Sequence, residues 1–301
     1  MILLLGATGL LGGQVLRALL ERNIEVRAYT RGSSNWKDAS ISDLRRRGVD
    51  ITLADVLDDE KLSEAIEGCT AIINLIGIFK EKEDSTFQAV HIDAVERLLA
   101  HAEAHGVQRF IHVSCLGSTE HSISPYLETK WAGEQLVLKS NLYWTILKPS
   151  FMFGEKFPLM EWLSPLVKFK PFMPIIGSGL NEIQPVSLDD VARCLVDCIY
   201  DRRAVSKVYE LGGPEIYSMV DLMELIRSEL GLPKNSVVVP APAVKPVIRM
   251  LAKAGLNPTP HMDMLPLLTV DSTCHDNVLE ELLGCPAQSL NKRLTKILSR
   301  I

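Results

Sequence analysis

This 301-residue chain has no CxxC pair and no dense cysteine framework. Its six cysteines (Cys69, Cys115, Cys194, Cys198, Cys274 and Cys285) are scattered. That excludes a disulfide scaffold and a structural zinc site, so no metal is expected, and reduced thiols suit a cytoplasmic location. Cys194 and Cys198 stand four apart and read as small core residues on one helical face. Positive charge is also short: 32 Lys and Arg face 37 Asp and Glu, a net charge of -5. Electrostatic binding to nucleic acid or to an anionic membrane is therefore not expected. No segment approaches the roughly eighteen uninterrupted apolar residues that span a bilayer. The opening MILLLGATGLLGG has no basic flank and is broken by glycines, so it reads as strand and loop, not as a signal peptide.

What is present is alternation. Apolar runs at residues 1–5, 24–30, 51–54, 71–76, 107–113 and 144–147 read as strands. Helical spacing fills 10–22, 58–67, 87–105 and 125–139 between them. The expected fold class is α/β: a Rossmann-type, doubly wound parallel sheet with a smaller C-terminal α/β lobe. We divide the chain into a dinucleotide-binding unit at 1–150 and a lobe at 151–301 interleaved with it. The lobe is proline-punctuated, with helices expected at 188–200 and 219–230 around a strand at 208–211.

The first strand ends in Gly6-Ala7-Thr8-Gly9-Leu10-Leu11-Gly12. A tight turn, close backbone approach to a pyrophosphate and close helix packing each require a residue without Cβ. The helix N-terminus then presents free N–H groups and a positive dipole end to phosphate. At the end of the second strand, where a carboxylate would bind a ribose 2′-OH, stand Thr30 and Arg31. An arginine there accommodates a 2′-phosphate, so NADP(H) is preferred, with NAD(H) as the alternative. Ser33 and Ser34 could add hydrogen bonds to such a phosphate.

Tyr126 and Lys130 form a YxxxK pair on one helical face. A nearby ammonium lowers a phenol pKa towards the range of a proton carrier. Ser124 and Pro125 read as N-cap and first helical residue. A third member, a serine hydroxyl to stabilise an oxyanion, is expected after the fifth strand. The cluster reads Ser114-Cys115-Leu116-Gly117-Ser118; Ser114 is the candidate, with Ser118 as substitute.

The GxxGxxG loop and the YxxxK pair resemble the short-chain dehydrogenase/reductase superfamily, and Leu5 before the first glycine favours its atypical branch. Lys148-Pro149 with Gly154 resembles the RPxxxxG segment, 185–192 the PVxVDDVA segment, and 212–215 the GGPE turn. The group most resembled is NDUFA9-like: relatives of the nucleotide-binding accessory subunit of respiratory complex I. The resemblance places Asp55 at the adenine, with Val56 beside it. It puts Leu75, Ile76 and Gly77 beneath the cofactor, and Val113, Pro149 and Phe151 along it. In the superfamily's catalytic positions the serine would be at Cys115 or Leu116. It implies an oxidoreductase acting on a small carbonyl or quinone-like substrate. The alternative is a structural or assembly protein that holds NADPH without turnover; a weaker one is nucleotide-sugar epimerisation or dehydration.

The expected partner is a small-molecule substrate and not nucleic acid. Peripheral-membrane or complex association is left open, and the oligomeric state is not legible. Phe157, Trp162, Phe169 and Phe172 among Lys156, Lys168 and Lys170 read first as lobe core with a snorkelling rim. The competing reading is a docking face. His91, His101 and His105 are expected to face solvent.

Overall fold

The computed structural model describes residues 1–31, 38–83, 85–154, 158–240, 242–244, 246, 250 and 264–299. Ser33, Ser34, Lys156 and Phe157 lie outside the described residues.

Six strands alternate with helices through the first half: β1 Ile2–Leu5, β2 Val26–Thr30, β3 Asp50–Leu53, β4 Ala71–Asn74, β5 Arg109–Val113 and β6 Tyr143–Pro149. The intervening helices are α1 Leu10–Glu21, α2 Asp38–Arg46, α3 Asp59–Ile66, α4 Ala94–Ala104 and α5 Pro125–Lys139. Helix α2 was not expected; its polar sequence DASISDLRR carries few apolar residues to mark a buried face. The second half adds β7 Met152–Phe153, α6 Pro158–Val167, β8 Met173–Ile176, β9 Glu182–Ile183 and β10 Val186–Ser187. Then follow α7 Leu188–Tyr200, β11 Lys207–Leu211, β12 Tyr217–Ser218, α8 Met219–Glu229, β13 Ser236–Val239, α9 Leu279–Leu283 and α10 Leu290–Leu298.

Seven strands form one sheet in the order β11-β6-β5-β4-β1-β2-β3, every pairing parallel. Strands β1 and β4 are buried at every residue, as a sheet covered on both faces requires. Helices α1 and α7 share one apolar core with one face of the sheet (Leu4, Val15, Leu19, Ile73, Val191, Leu195). Helices α3 and α4 share another with the opposite face (Leu3, Leu5, Leu62, Ile66, Leu98, Phe110). Cys194 and Cys198 are buried on α7, and all six thiols are free. Strand β11 and helix α7, from beyond residue 150, complete the sheet and one of its cover layers.

A third core belongs to the C-terminal lobe, joining α6, β8, α8 and α10 through Leu163, Met173, Leu222, Ile226, Leu290 and Leu294. The 185–192 and 212–215 motifs tie this lobe together. Asp190, buried, accepts the Gln288 backbone N–H at 2.7 Å and its side-chain amide at 2.8 Å. Glu215 accepts from the Ser289 hydroxyl and, at 3.2 Å, from the Leu290 N–H.

The sheet reverses direction of growth between β1 and β4. In open α/β sheets ligands bind at that switch point, outside the carboxyl ends of the strands. The loops after β1 and β4 therefore frame the site.

Candidate functional site

Gly6 turns the chain at φ +78°, and a Cβ there would stand 3.1 Å from the Leu75 carbonyl. Gly12 is more constrained: its Cβ would lie 2.1 Å from the Gly6 oxygen. The first turn of α1 thus packs directly on the loop. Gly9 is the N-cap, and no acidic residue occupies the first turn, so the helix end keeps its positive character. This cradle suits a pyrophosphate, because any Cβ would fill the space the backbone needs.

Two cavities meet at the loop. The smaller, about 170 Å³, is lined by Gly6, Thr8, Gly9, Thr30, Arg31, Asp55, Val56, Leu75, Ile76 and Gly77. The larger, about 710 Å³, continues past Leu10, Leu11 and Gly12 to Val113, Ser114, Tyr126, Lys130, Pro149 and Phe151. Apart from Ser118, and from Ser33 and Ser34 outside the described residues, every residue singled out for cofactor binding or catalysis lines one of these cavities.

At the adenosine end, the Thr8 and Thr30 hydroxyls are 3.2 Å apart. Arg31 has a half-exposed side chain, with Nη1 3.3 Å from Ser85 Oγ and 3.9 Å from Asp55 Oδ2. Ser85 lines this cavity too, and no sequence signal distinguished it. The Asp55 carboxylate also accepts the Leu57 N–H at 2.9 Å, which fixes the turn after β3.

The catalytic expectations need correction at three points. Lys130 was to hold the Tyr126 phenol at a lowered pKa. Instead burial pushes Tyr126 well above its usual value, and a hydrogen bond shared with Cys115 adds to the rise. The Lys130 ammonium donates to the Val113 carbonyl at 2.7 Å, and its own burial lowers its pKa. Ser114 and Ser118 both donate to the Glu134 carboxylate, Ser118 at 2.5 Å. Glu134 is buried and also pairs with Lys148 at 3.2 Å. The thiol nearest the phenol is that of Cys115, pushed up to about 11 by burial. Ser124 is indeed N-cap to α5, with Pro125 next, but its buried hydroxyl finds no partner among the described residues.

The histidine expectation also fails for His91, which is buried at 2% exposure. Residues Ala89–Asp93 form a π-helical turn before α4. Gly133 on α5 lets the His91 carbonyl come close; a Cβ there would stand 2.4 Å from that oxygen. His91 Nε2 accepts the Ile78 N–H at 3.2 Å, so Nδ1 carries the proton and donates to Thr129 Oγ1 at 3.0 Å. The Thr129 hydroxyl donates onward to the Pro125 carbonyl at 2.8 Å. One neutral imidazole thus joins the loop after β4 to the turn carrying Tyr126. That loop brings Phe79 to stack on Tyr126, ring centroids 5.1 Å apart. Asn74 completes the frame: its oxygen accepts the Ile76 N–H at 3.1 Å and its amide bonds His112 Nδ1 at 3.2 Å. His91, Glu134, Asn74 and Phe79 carry no motif, and their roles emerge only from packing.

Fold and site together define a pyridine-dinucleotide-binding protein of the short-chain dehydrogenase type. The chain belongs to the NAD(P)H-binding family, whose model matches residues 6–202, and to the group of the complex I alpha-subcomplex subunit 9. It is 30% identical over 286 residues to the mitochondrial NADH dehydrogenase [ubiquinone] 1 alpha subcomplex subunit 9 of Arabidopsis thaliana, covering 91% of this chain and 71% of that protein. It is 25% identical over 224 residues to the photosystem II assembly factor Ycf39 of Cyanophora paradoxa, covering 74% and 67%. In fold it resembles a nucleoside-diphosphate-sugar epimerase from Staphylococcus aureus: TM-score 0.76, 20% identity, 98% and 99% covered.

These relatives correct the partner expectation. It put a small-molecule substrate first and only left complex association open; the relatives matched in sequence include a complex subunit and an assembly factor.

Proposed function

We propose that this protein holds NADPH as a fixed component of a larger assembly and does not turn it over. The observation that carries this reading is the orientation of Ser114 and Ser118. An oxyanion stabiliser must donate its proton to the substrate. Both hydroxyls donate to Glu134 instead, and a thiol stands beside the phenol. The phenol is itself held well above the pKa of a proton carrier.

In this reading the Gly6–Gly12 loop and the start of α1 bind the pyrophosphate. Arg31 binds the 2′-phosphate, with Ser85 supporting its guanidinium. A bound nicotinamide would supply a hydride donor, which the chain's residues would hold and shield without passing the hydride to a substrate. The names of the relatives support an assembly role.

Nucleotide release on denaturation tests the first part, with NADP expected by mass; NAD alone overturns the 2′-phosphate assignment. Arg31→Glu should weaken NADPH binding at least tenfold while changing NADH binding little. For the second part, wild type and Tyr126→Phe are compared for NADPH oxidation with a panel of carbonyls and quinones. Equal, background-level rates with nucleotide retained are expected. A wild-type rate well above that of Tyr126→Phe establishes turnover.

One observation favours the second reading, an oxidoreductase on an apolar carbonyl. The larger cavity runs on from Tyr126 to a wall of Phe79, Phe151, Leu159, Trp162, Leu267 and Val270. Under that reading a hydrophobic quinone would show the highest rate in the panel.

A further inference from the structure

The aromatic segment before β8 is divided by the fold. Trp162 is buried at 6% exposure, as a core residue should be. Phe169 and Phe172, by contrast, are 57% and 51% exposed, which overturns their reading as lobe core. Lys168 and Lys170 flank them and are exposed as well.

The surface extends to a neighbouring edge. Strand β13 pairs with β8 in a two-stranded ribbon, Ser236 opposite Met173, and among the described residues its outer edge is unpaired. Val237 and Val238 on β13 are 47% and 60% exposed, and Lys234 before it is exposed. Arg227 locks the two segments together. Fully buried, it donates to the carbonyls of Val167 at 3.0 Å, Phe169 at 3.1 Å and Pro233 at 2.6 Å. The exposed rings are therefore mounted on a rigid base, not on a loose loop.

Charge around this surface is segregated. Residues 162–181 contain Lys168 and Lys170 and no Asp or Glu. Residues 230–240 contain Lys234 and again no Asp or Glu. These stretches hold 3 of the 32 basic residues, so the remainder has 29 against 37 acidic, a balance of -8. A chain that is acidic overall has no Asp or Glu in either of the two stretches that carry this face.

We propose that this face docks on the surface of a bilayer containing anionic phospholipid. The chemistry matches at two depths: phenyl rings enter the headgroup–acyl boundary while lysines remain at the phosphates. An acidic protein surface would use the lysines but leave the rings without a complementary pocket. Among the described residues no helix is long and apolar enough to cross a membrane, so the attachment is to one face.

The full chain is tested by co-sedimentation with vesicles of phosphatidylcholine alone and of phosphatidylcholine with phosphatidylglycerol, at rising salt. Binding to the anionic vesicles is expected, at least tenfold stronger than to neutral ones and falling with salt. Phe169→Ser with Phe172→Ser should lower it at least tenfold, and so should Lys168→Glu, Lys170→Glu and Lys234→Glu combined. Nucleotide retention, measured in parallel, should stay unchanged and shows that the variants fold. No binding to anionic vesicles, equal binding to both vesicles, or binding that survives both sets of substitutions overturns the proposal. So does binding to polyglutamate with none to vesicles, which assigns the face to an acidic protein. None of these results touches the nucleotide reading, which has its own readout.

Discussion

Ser114 donates its hydroxyl proton to the buried carboxylate of Glu134, in place of aiming it at the cavity beside Tyr126. Glu134 also accepts from Ser118 and pairs with Lys148, so one carboxylate organises the floor of the site. Removing it by Glu134→Ala leaves the Lys148 ammonium largely buried without its partner. Loss of one member of a buried pair costs about 3 kcal/mol. We expect a fall of that size in urea unfolding, with a smaller loss for Glu134→Gln, which keeps an acceptor for the serines. A loss below about 0.5 kcal/mol in Glu134→Ala would show that the pair carries little stability.

His91 makes stability depend on pH. Burial, with the Lys130 charge adding to it, lowers its pKa to about 3. Burial lowers His112 well below the ordinary value too. The unfolded chain binds these protons near pH 6.5 and the folded chain does not. The stability is therefore fully present above about pH 6.5 and is lost as pH falls through the window down to about 3. His91 contributes a slope of about 1.4 kcal/mol per pH unit inside that window, and His112 acts in the same direction. Urea midpoints at pH 7.5 and 5 should show the loss. His91→Gln, which keeps a neutral acceptor, should reduce the slope by one proton; an unchanged slope refutes the assignment to His91.

Neighbouring glycines on α1 should behave oppositely. Gly12→Ala places a methyl 2.1 Å from the Gly6 oxygen and 2.8 Å from the Ala7 Cα, both backbone atoms that cannot move aside. Dinucleotide affinity should fall more than tenfold, read by fluorescence titration. At Gly13 an added Cβ meets nothing within 4 Å. Gly13→Ala should keep affinity and raise stability by about 0.5 kcal/mol through helix propensity.

Arg227 holds three carbonyls from two segments of the lobe. Arg227→Met preserves much of the volume but leaves those acceptors without a donor. A loss of about 3 kcal/mol is expected from this group of buried bonds. Protease sensitivity should rise between residues 164 and 172 before it rises in the sheet. Cleavage that begins in the sheet would mean the staple is not what orders this segment.

Local patterns made most of the fold legible. The apolar runs that became β1 and β4 are buried on both faces and needed no alternation to be read. Helix α5 runs Pro125–Lys139, the bounds its Ser-Pro start and apolar spacing marked. The cofactor loop was equally plain, because a requirement for missing Cβ atoms is written directly as glycine. What escaped notice acts over distance. Glu134 lies 20 residues from Ser114, His91 lies 38 from Thr129, and Arg227 lies 60 from Val167. None has a local spacing that reports its partner.

The sequence by itself therefore determined a parallel sheet, its glycine-lined dinucleotide loop and the Arg31 that ends its second strand. These rest on residue type and near neighbours in the chain. Only the tertiary structure decided the state of Tyr126, the direction of the Ser114 hydroxyl, and which aromatics stay in solvent. Those depend on burial and on donors brought from distant segments, and a hydroxyl's proton goes to whichever acceptor the fold places within reach.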